Sequence, residues 1–300
     1  MANPLKTADF EIPKQILDPW VGKIQAGSTI ATLSPSIPMK FGKGEWTSWD
    51  SGEAEYVGEG ANKSSNDITK TGGTFEPHKF QKTVRFHEEV TWADSDHRLH
   101  IIDTILEQIQ PALSRALDYG IFHGINPKTG EPVSAMTQKL VDTTNSVTYT
   151  GDAETFLTTD AAKALVLADK YLPTGFAIDT DLAATMVTQR YADSTKQLVY
   201  PNFTPSLNAG TVDGLKASVS ATVSGDGVIA TPSNVLGFVG DFSAIRWGIQ
   251  KTIAIHKIEY GDPDGQGDLK RNNQVAFRAE IVYGWGIADK NAFAKIVKAG

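Results

Sequence analysis

Residues 94–124 read DSDHRLHIIDTILEQIQPALSRALDYGIFHG, and this stretch decides the fold. Leu99, Ile102, Ile105 or Leu106, Ile109, Leu113 and Leu117 recur every three or four residues, which gives one apolar stripe on a helix spanning about 97–119. Asp94, Ser95 and Asp96 supply capping oxygens and negative charge at its start. Pro111 sits inside the stripe. An interior proline removes one backbone hydrogen bond and costs about 3 kcal/mol, so a kink is expected about one turn before it.

Immediately upstream, Phe80 to Val90 alternates: Phe80, Val84, Phe86 and Val90 on one side, Gln81, Thr83, Arg85, His87 and Glu89 on the other. That is a half-buried strand. Before it, Lys43 to Lys79 is rich in Gly, Ser, Thr, Asn and charge. Short strand-like pieces, Ala54–Val57 and Thr74–Glu76, flank a glycine- and asparagine-rich middle, so the segment reads as a long hairpin with a mobile tip. Long loops are usually functional, and an isolated two-stranded hairpin is marginal in water, so this one is expected to rest on a partner.

The first 45 residues carry Pro4, Pro13, Pro19, Pro35 and Pro38 among Phe10, Ile12, Ile16, Leu17 and Trp20. Prolines favour an extended path. A disordered tail is one reading. The large apolar residues favour another, an arm that lies across a second surface.

Downstream of the helix, residues 130–250 read as an α/β layer. A helix capped at Thr158–Asp160 runs to Leu172, a strand follows at Phe176–Ile178, and a second helix at about 181–192. Strands are expected at Ala217–Val223 and Leu236–Val239. Two long alternating runs follow, Ile249–Ile258 and Val275–Ile287. The second is long for a strand, so twist or a bulge near Gly284 and Gly286 is expected.

Composition narrows the function. The chain has 300 residues, 40% of them apolar, no cysteine and a formal charge of −7. The absence of cysteine excludes disulfides, thiolate catalysis and zinc–thiolate sites. No apolar run approaches the ~20 residues needed to span a bilayer, and no signal-peptide block opens the chain, which points to a soluble protein made and used inside a cell, with no membrane partner. Basic residues are scattered, which argues against tight nucleic-acid binding. No P-loop, G-x-S-x-G elbow, dinucleotide fingerprint or H-E-x-x-H motif occurs, so no enzyme activity or cofactor is expected. His97 and His100 stand three apart, but a solvated helix start explains them better than a metal. Asp262 to Asp268 resembles a calcium loop, yet Asn273 stands where the bidentate glutamate belongs, and a turn between strands is the simpler reading.

The order of these parts resembles the tailed-bacteriophage major capsid proteins with the Hong Kong 97 fold. Glu55-Tyr56-Val57-Gly58-Glu59-Gly60 is similar to the family's extended loop. Lys82 to Glu89, Asp94-Ser95, and Leu117 to Gly124 are similar to the entry to and exit from its spine helix. Gly240 to Ser243, Asn273 to Val275, Ala279-Glu280 and Asn291 to Phe293 are similar to its closing strands. The resemblance implies an α+β fold with an N-terminal arm at 1–42, an extended hairpin at 43–80, a peripheral domain at 81–128 and 249–284, and an axial domain at 129–248 and 285–300. It implies hexamers and pentamers forming an icosahedral phage head, assembled in the host cytoplasm around double-stranded DNA that is held without sequence-specific contacts. It also implies a portal as a partner, with a decoration protein as a further candidate. Some family members begin with a cleaved scaffolding region, whereas here Met1 leads almost directly into the arm, so a separate scaffolding protein, or assembly without one, is expected. The interface residues expected are Phe10, Ile12, Trp20, Trp46, Trp49, Tyr56, Lys63 and the spine helix. Some family members join a hairpin lysine to a neighbour's asparagine with a glutamate as base. Lys63 or Lys70, Asn273 and Glu280 stand at the corresponding positions. A nanocompartment shell of the same fold, or a soluble enzyme or binding protein with an unrecognised site, are the alternatives.

Overall fold

The structure, a computed structural model, describes residues 27–97, 101–151, 155–191 and 194–299. Phe10, Ile12, Trp20 and His100 lie outside them. The first element is one helical turn, α1 (Thr29–Leu33), whose N-cap Ser28 hydroxyl accepts from the Ala31 N–H. Thr29 and Ile30 are fully buried. The Ser34 hydroxyl donates to the Ile245 carbonyl, and the Ile37 N–H to that of Trp247. Within the expected arm of residues 1–42, the root from Ser28 to Gly42 runs along its own chain, because apolar and backbone groups there find partners in it.

Two strands build the hairpin. β1 (Gly44–Asp50) pairs antiparallel with the start of β2 (Thr69–His87), from Gly44 opposite Phe75 to Asp50 opposite Thr69. The stalk is Gly44–Asp50 rather than Ala54–Val57, because Gly52, at φ 70°, turns the chain out of the ladder just beyond Asp50. The tip, residues 51–68, is closed by Ser64, which donates to the Glu55 carboxylate from its hydroxyl at 2.5 Å and its N–H at 3.3 Å. Asn66 reaches back to the Glu53 carbonyl. β2 stops at His87, short of the expected Val90. The Glu88 N–H closes the last rung on the Asn273 carbonyl, and Glu88 and Glu89 open a helix, α2 (Glu88–His97), whose N-terminus favours their charge.

The expected single helix of 97–119 is divided. After α2 come α3 (Ile101–Glu107) and α4 (Ile109–His123), separated at Gln108. Pro111 is the cause: it has no N–H for the Glu107 carbonyl, and the Gln108 N–H bonds to Ile105, three residues back. Asp94 and Ser95 sit inside α2 rather than capping the spine, although an Asp94 carboxylate oxygen receives the Ile102 N–H at 3.4 Å. The exit lies four residues beyond the expected end at 119, after His123. Gly124, at φ 67°, caps α4, and the Ile125 N–H bonds to the Tyr119 carbonyl.

The long closing strands complete a four-stranded sheet. β8 (Ile245–Ile258) and β9 (Gln274–Ile287) give the order β1-β2-β9-β8, with β2 antiparallel to β9 from Glu76–Trp285 to His87–Gln274. One face of β9 packs on α4. The Tyr283 hydroxyl donates to the Leu113 carbonyl, and the Trp285 ring lies on Gly120, where a Cβ would stand 2.7 Å from the indole. The opposite face carries Gly248, Gly284 and Gly286. Ile37, Met39 and Trp46 lie directly over these glycines, leaving no room for a side chain. The bulge expected near Gly284 is in the partner strand: Gln250 of β8 is the extra residue, and its amide makes two 3.0 Å hydrogen bonds with the Gly42 backbone.

The second sheet has six strands. Its members are β3 (Ser146–Tyr149), β4 (Gly175–Ile178), β5 (Thr211–Val212), β6 (Leu215–Val219), β7 (Val235–Gly240) and β10 (Phe293–Lys298), in the order β3-β10-β7-β4-β6-β5. Its core is Phe176, Ile178, Leu182, Val239 and Ile296, with α5 (Thr155–Ala168) and α6 (Thr180–Thr188) packed on it. Both helices are displaced from expectation. The Thr158–Asp160 cap lies inside α5, and Lys170, at φ 68°, closes that helix before Leu172. The Asp179 carboxylate caps α6, which stops at Thr188. β6 ends at Val219, short of Val223, because the chain turns there: the Val223 N–H bonds to the Ser220 carbonyl.

Candidate assembly surfaces

Several large side chains stand uncovered by their own chain. On the hairpin, Trp49 is 64% and Tyr56 93% exposed. The Lys70 ammonium stands 5.7 Å from the centroid of the Trp49 ring, a cation–π contact that holds the indole outward. Lys63 is exposed at the tip. Trp46 is different: its ring covers Gly73 and Gly286 of its own chain and anchors the stalk. Residues 44–69 contain Glu45, Asp50, Glu53, Glu55, Glu59 and Asp67 against the single cation Lys63.

The open face of the four-stranded sheet has the opposite sign. Strand register places Lys79, Val282 and Lys251 in one row, Gln81, Glu280 and Ile253 in the next, and Thr83, Arg278 and His256 in a third. Glu280 is the lone carboxylate among these nine residues, and its side chain is 12% exposed between Lys79 at 2.5 Å and Arg278 at 3.9 Å. β8 is an edge strand, with Ile249, Ile253 and Ile255 each about two-fifths exposed, and Trp92 stands out from α2. Sequence reading missed these. Alternation in Ile249–Ile258 signals a strand, but nothing local says that the strand lies at an edge.

The four candidates for covalent joining are not gathered within one chain. The Asn273 amide donates to Glu89 at 2.7 Å. Glu280 is seven residues further along β9, about 23 Å away at ~3.3 Å per residue. Lys70 lies against Trp49 and Lys63 at the tip. No group of three or more metal-type side chains forms among the described residues, and none of their helices is long and apolar enough to cross a membrane.

Inside, two titratable groups anchor the frame. Asp118 of α4 is fully buried and accepts four hydrogen bonds: Ser28 hydroxyl 2.5 Å, Thr29 N–H 2.8 Å, Ile30 N–H 3.0 Å and Thr222 hydroxyl 2.7 Å. Burial pushes its carboxyl up, and the four donors pull against that. One turn on, His123 is 3% exposed and bonds through Nε2 to the Val223 carbonyl at 2.9 Å. Burial depresses its pKa to about 4, so the ring is neutral at physiological pH.

Comparison with known proteins agrees with this arrangement. A structure from Mycobacterium phage Ogopogo is 39% identical, covers 99% of this chain and 100% of its own, and superposes with a TM-score of 0.85. One from Gordonia phage Cozz is 29% identical over 98% of this chain and 93% of its own, with a TM-score of 0.81. The capsid of an empty GTA particle, at 14% identity, covers 96% of each chain with a TM-score of 0.60 and shares the fold. No curated protein matches the chain. Residues 8–298 match the model of the Phage capsid family, and the chain belongs to that family as a major capsid protein of the phage head.

Proposed function

We propose that copies of this chain gather as hexamers and pentamers into an icosahedral head around double-stranded DNA, with the hairpin of each copy lying across the open sheet face of a neighbour. The observation that supports this most is charge: residues 44–69 of the hairpin carry six carboxylates and one lysine, in the same chain as a sheet face that carries Lys79, Lys251 and Arg278. Trp49 and Tyr56 supply apolar area that their own chain does not cover, the kind of aromatic anchor interfaces favour. In this reading the arm is 1–42 and the hairpin 43–80. The peripheral domain is 81–128 with 249–284, and the axial domain, holding the six-stranded sheet, is 129–248 with 285–300. A separate scaffolding protein, a portal and decoration proteins are the further partners, and assembly takes place in the host cytoplasm.

Electron microscopy of the purified protein tests this directly. Closed shells or hexameric rings are expected, and discrete monomers at high concentration would overturn it. A triple Glu53→Lys, Glu55→Lys, Glu59→Lys variant should assemble poorly, and adding Lys79→Glu with Lys251→Glu should restore it. Covalent joining of Lys63 or Lys70 to Asn273, with Glu280 as base, is a separate proposal. It requires a neighbour to bring the groups together. A ladder on denaturing gels of particles would support it, and a single band near 32 kDa would exclude it.

A further inference from the structure

The turn between β8 and β9 is built around a cation, and the cation is part of the chain. Arg85, on β2, has an 11% exposed side chain, and its guanidinium points into the turn. Nη1 donates to the Gln274 side-chain oxygen at 2.9 Å and the Gln266 carbonyl at 3.4 Å. Nη2 donates to the Gly267 carbonyl at 3.1 Å, to Asp262 at 3.4 Å, and to Asp264. Five oxygens from five residues, two of them carboxylates, therefore converge on one positive group. Part of the frame that holds them is independent of Arg85. The Gly267 N–H donates to the second oxygen of Asp262 at 3.0 Å, Arg278 donates to the Pro263 carbonyl, and Leu269 anchors the turn fully buried. Gly265 (φ 76°) and Gly267 (φ 98°) give the sharp backbone that brings alternate residues 262, 264 and 266 to one centre.

Alternating oxygen donors with glycine at the sixth position are how an oxygen cage for calcium is built, and calcium takes six to eight oxygens in adaptable geometry. Here five are already oriented, and a large planar cation fills their centre. We propose that Arg85 occupies a cation site built into this turn, so that the chain carries a latent calcium site which its own guanidinium keeps filled. The order of the turn is thereby independent of the ionic medium.

The test uses the full chain and calcium alone. Arg85→Met keeps the aliphatic stem and removes the charge. Wild type should show the same thermal midpoint in millimolar calcium as in EDTA, and no calcium binding by calorimetry. Arg85→Met should lose about 5 °C in EDTA, recover most of it in calcium, and bind one ion per chain. Adding Asp262→Asn and Asp264→Asn should abolish that recovery. An Arg85→Met protein indifferent to calcium, or a wild type that responds equally, overturns the proposal. Should Arg85→Met give no soluble protein, Arg85→Lys replaces it: its compact ammonium leaves carbonyls unmet, so its midpoint should rise with calcium, and indifference there also overturns it.

Discussion

Replacing Asp118 with alanine removes the acceptor for four donors that come from two distant parts of the chain, residues 28–30 and Thr222. Two of them, the N–H groups of Thr29 and Ile30, are buried and left with no acceptor. Each unsatisfied buried group costs about 1–3 kcal/mol. The hydroxyl of Thr222 retains Ser220 at 3.0 Å, so its loss is smaller. Removing the carboxylate also relieves its desolvation, which offsets part of the loss. The sum is about 3–5 kcal/mol, a large share of a typical domain's 5–15 kcal/mol. Asp118→Asn keeps the shape and one acceptor but turns an amide N–H₂ toward two donors, and should cost about 2 kcal/mol. Urea unfolding of dissociated subunits measures both, read from the shift in midpoint at constant slope. Limited proteolysis should show new cleavage near Ser28–Ser34 in the alanine variant. An alanine variant within about 1 kcal/mol of wild type, with residues 28–34 still protected, would refute the view that this carboxylate fixes the root of the arm.

Further predictions follow from the same frame. His123 binds its proton at about 4 when folded and near 6.5 when unfolded, so stability falls as pH drops through 6.5 and levels off near 4; the loss is ~2 kcal/mol at pH 5 and ~3 kcal/mol in full. His123→Gln should remove that component of a pH-dependent unfolding series. Gly120→Ala sets a methyl against the Trp285 ring, and overpacking of about 1–3 kcal/mol should exceed the ~1 kcal/mol gain in helix propensity, lowering the thermal midpoint by a few degrees. If the break at Gln108 is where the spine bends during shell expansion, the angle between α3 and α4 should differ between compact and expanded particles, and an unchanged angle would sink that idea.

Periodicity made α4, β2 and β9 legible, because each has one face on the core and a regular spacing of apolar residues to mark it; β8 alternates too, although it is exposed from Ile249 onward. Pro111 announced the break. The failures share a cause in contacts between distant residues. Nothing near Val90 says that Asn273 will end β2 at His87. Nothing near Ser28 says that Asp118, ninety residues on, will bury it. Trp46, Trp49 and Tyr56 look alike in sequence, yet glycines 73 and 286 hold the first against its own chain while the others face outward. The sign of the open sheet face was also hidden, since it is assembled from residues on β2, β8 and β9 that only register brings together.

The position of β10 has a consequence for how the protein is made. It lies between β3 and β7, parallel to one and antiparallel to the other, and Phe293 and Ile296 are fully buried. A nascent chain that has reached residue 290 can pair β7 with β4, but β3 has no strand beside it, and a row of backbone groups stands open. The six-stranded sheet therefore closes only when residues 293–298 have been synthesised. A partly translated subunit lacks an interior strand of this sheet and leaves β3 unattached, which ties competence for assembly to the arrival of β10.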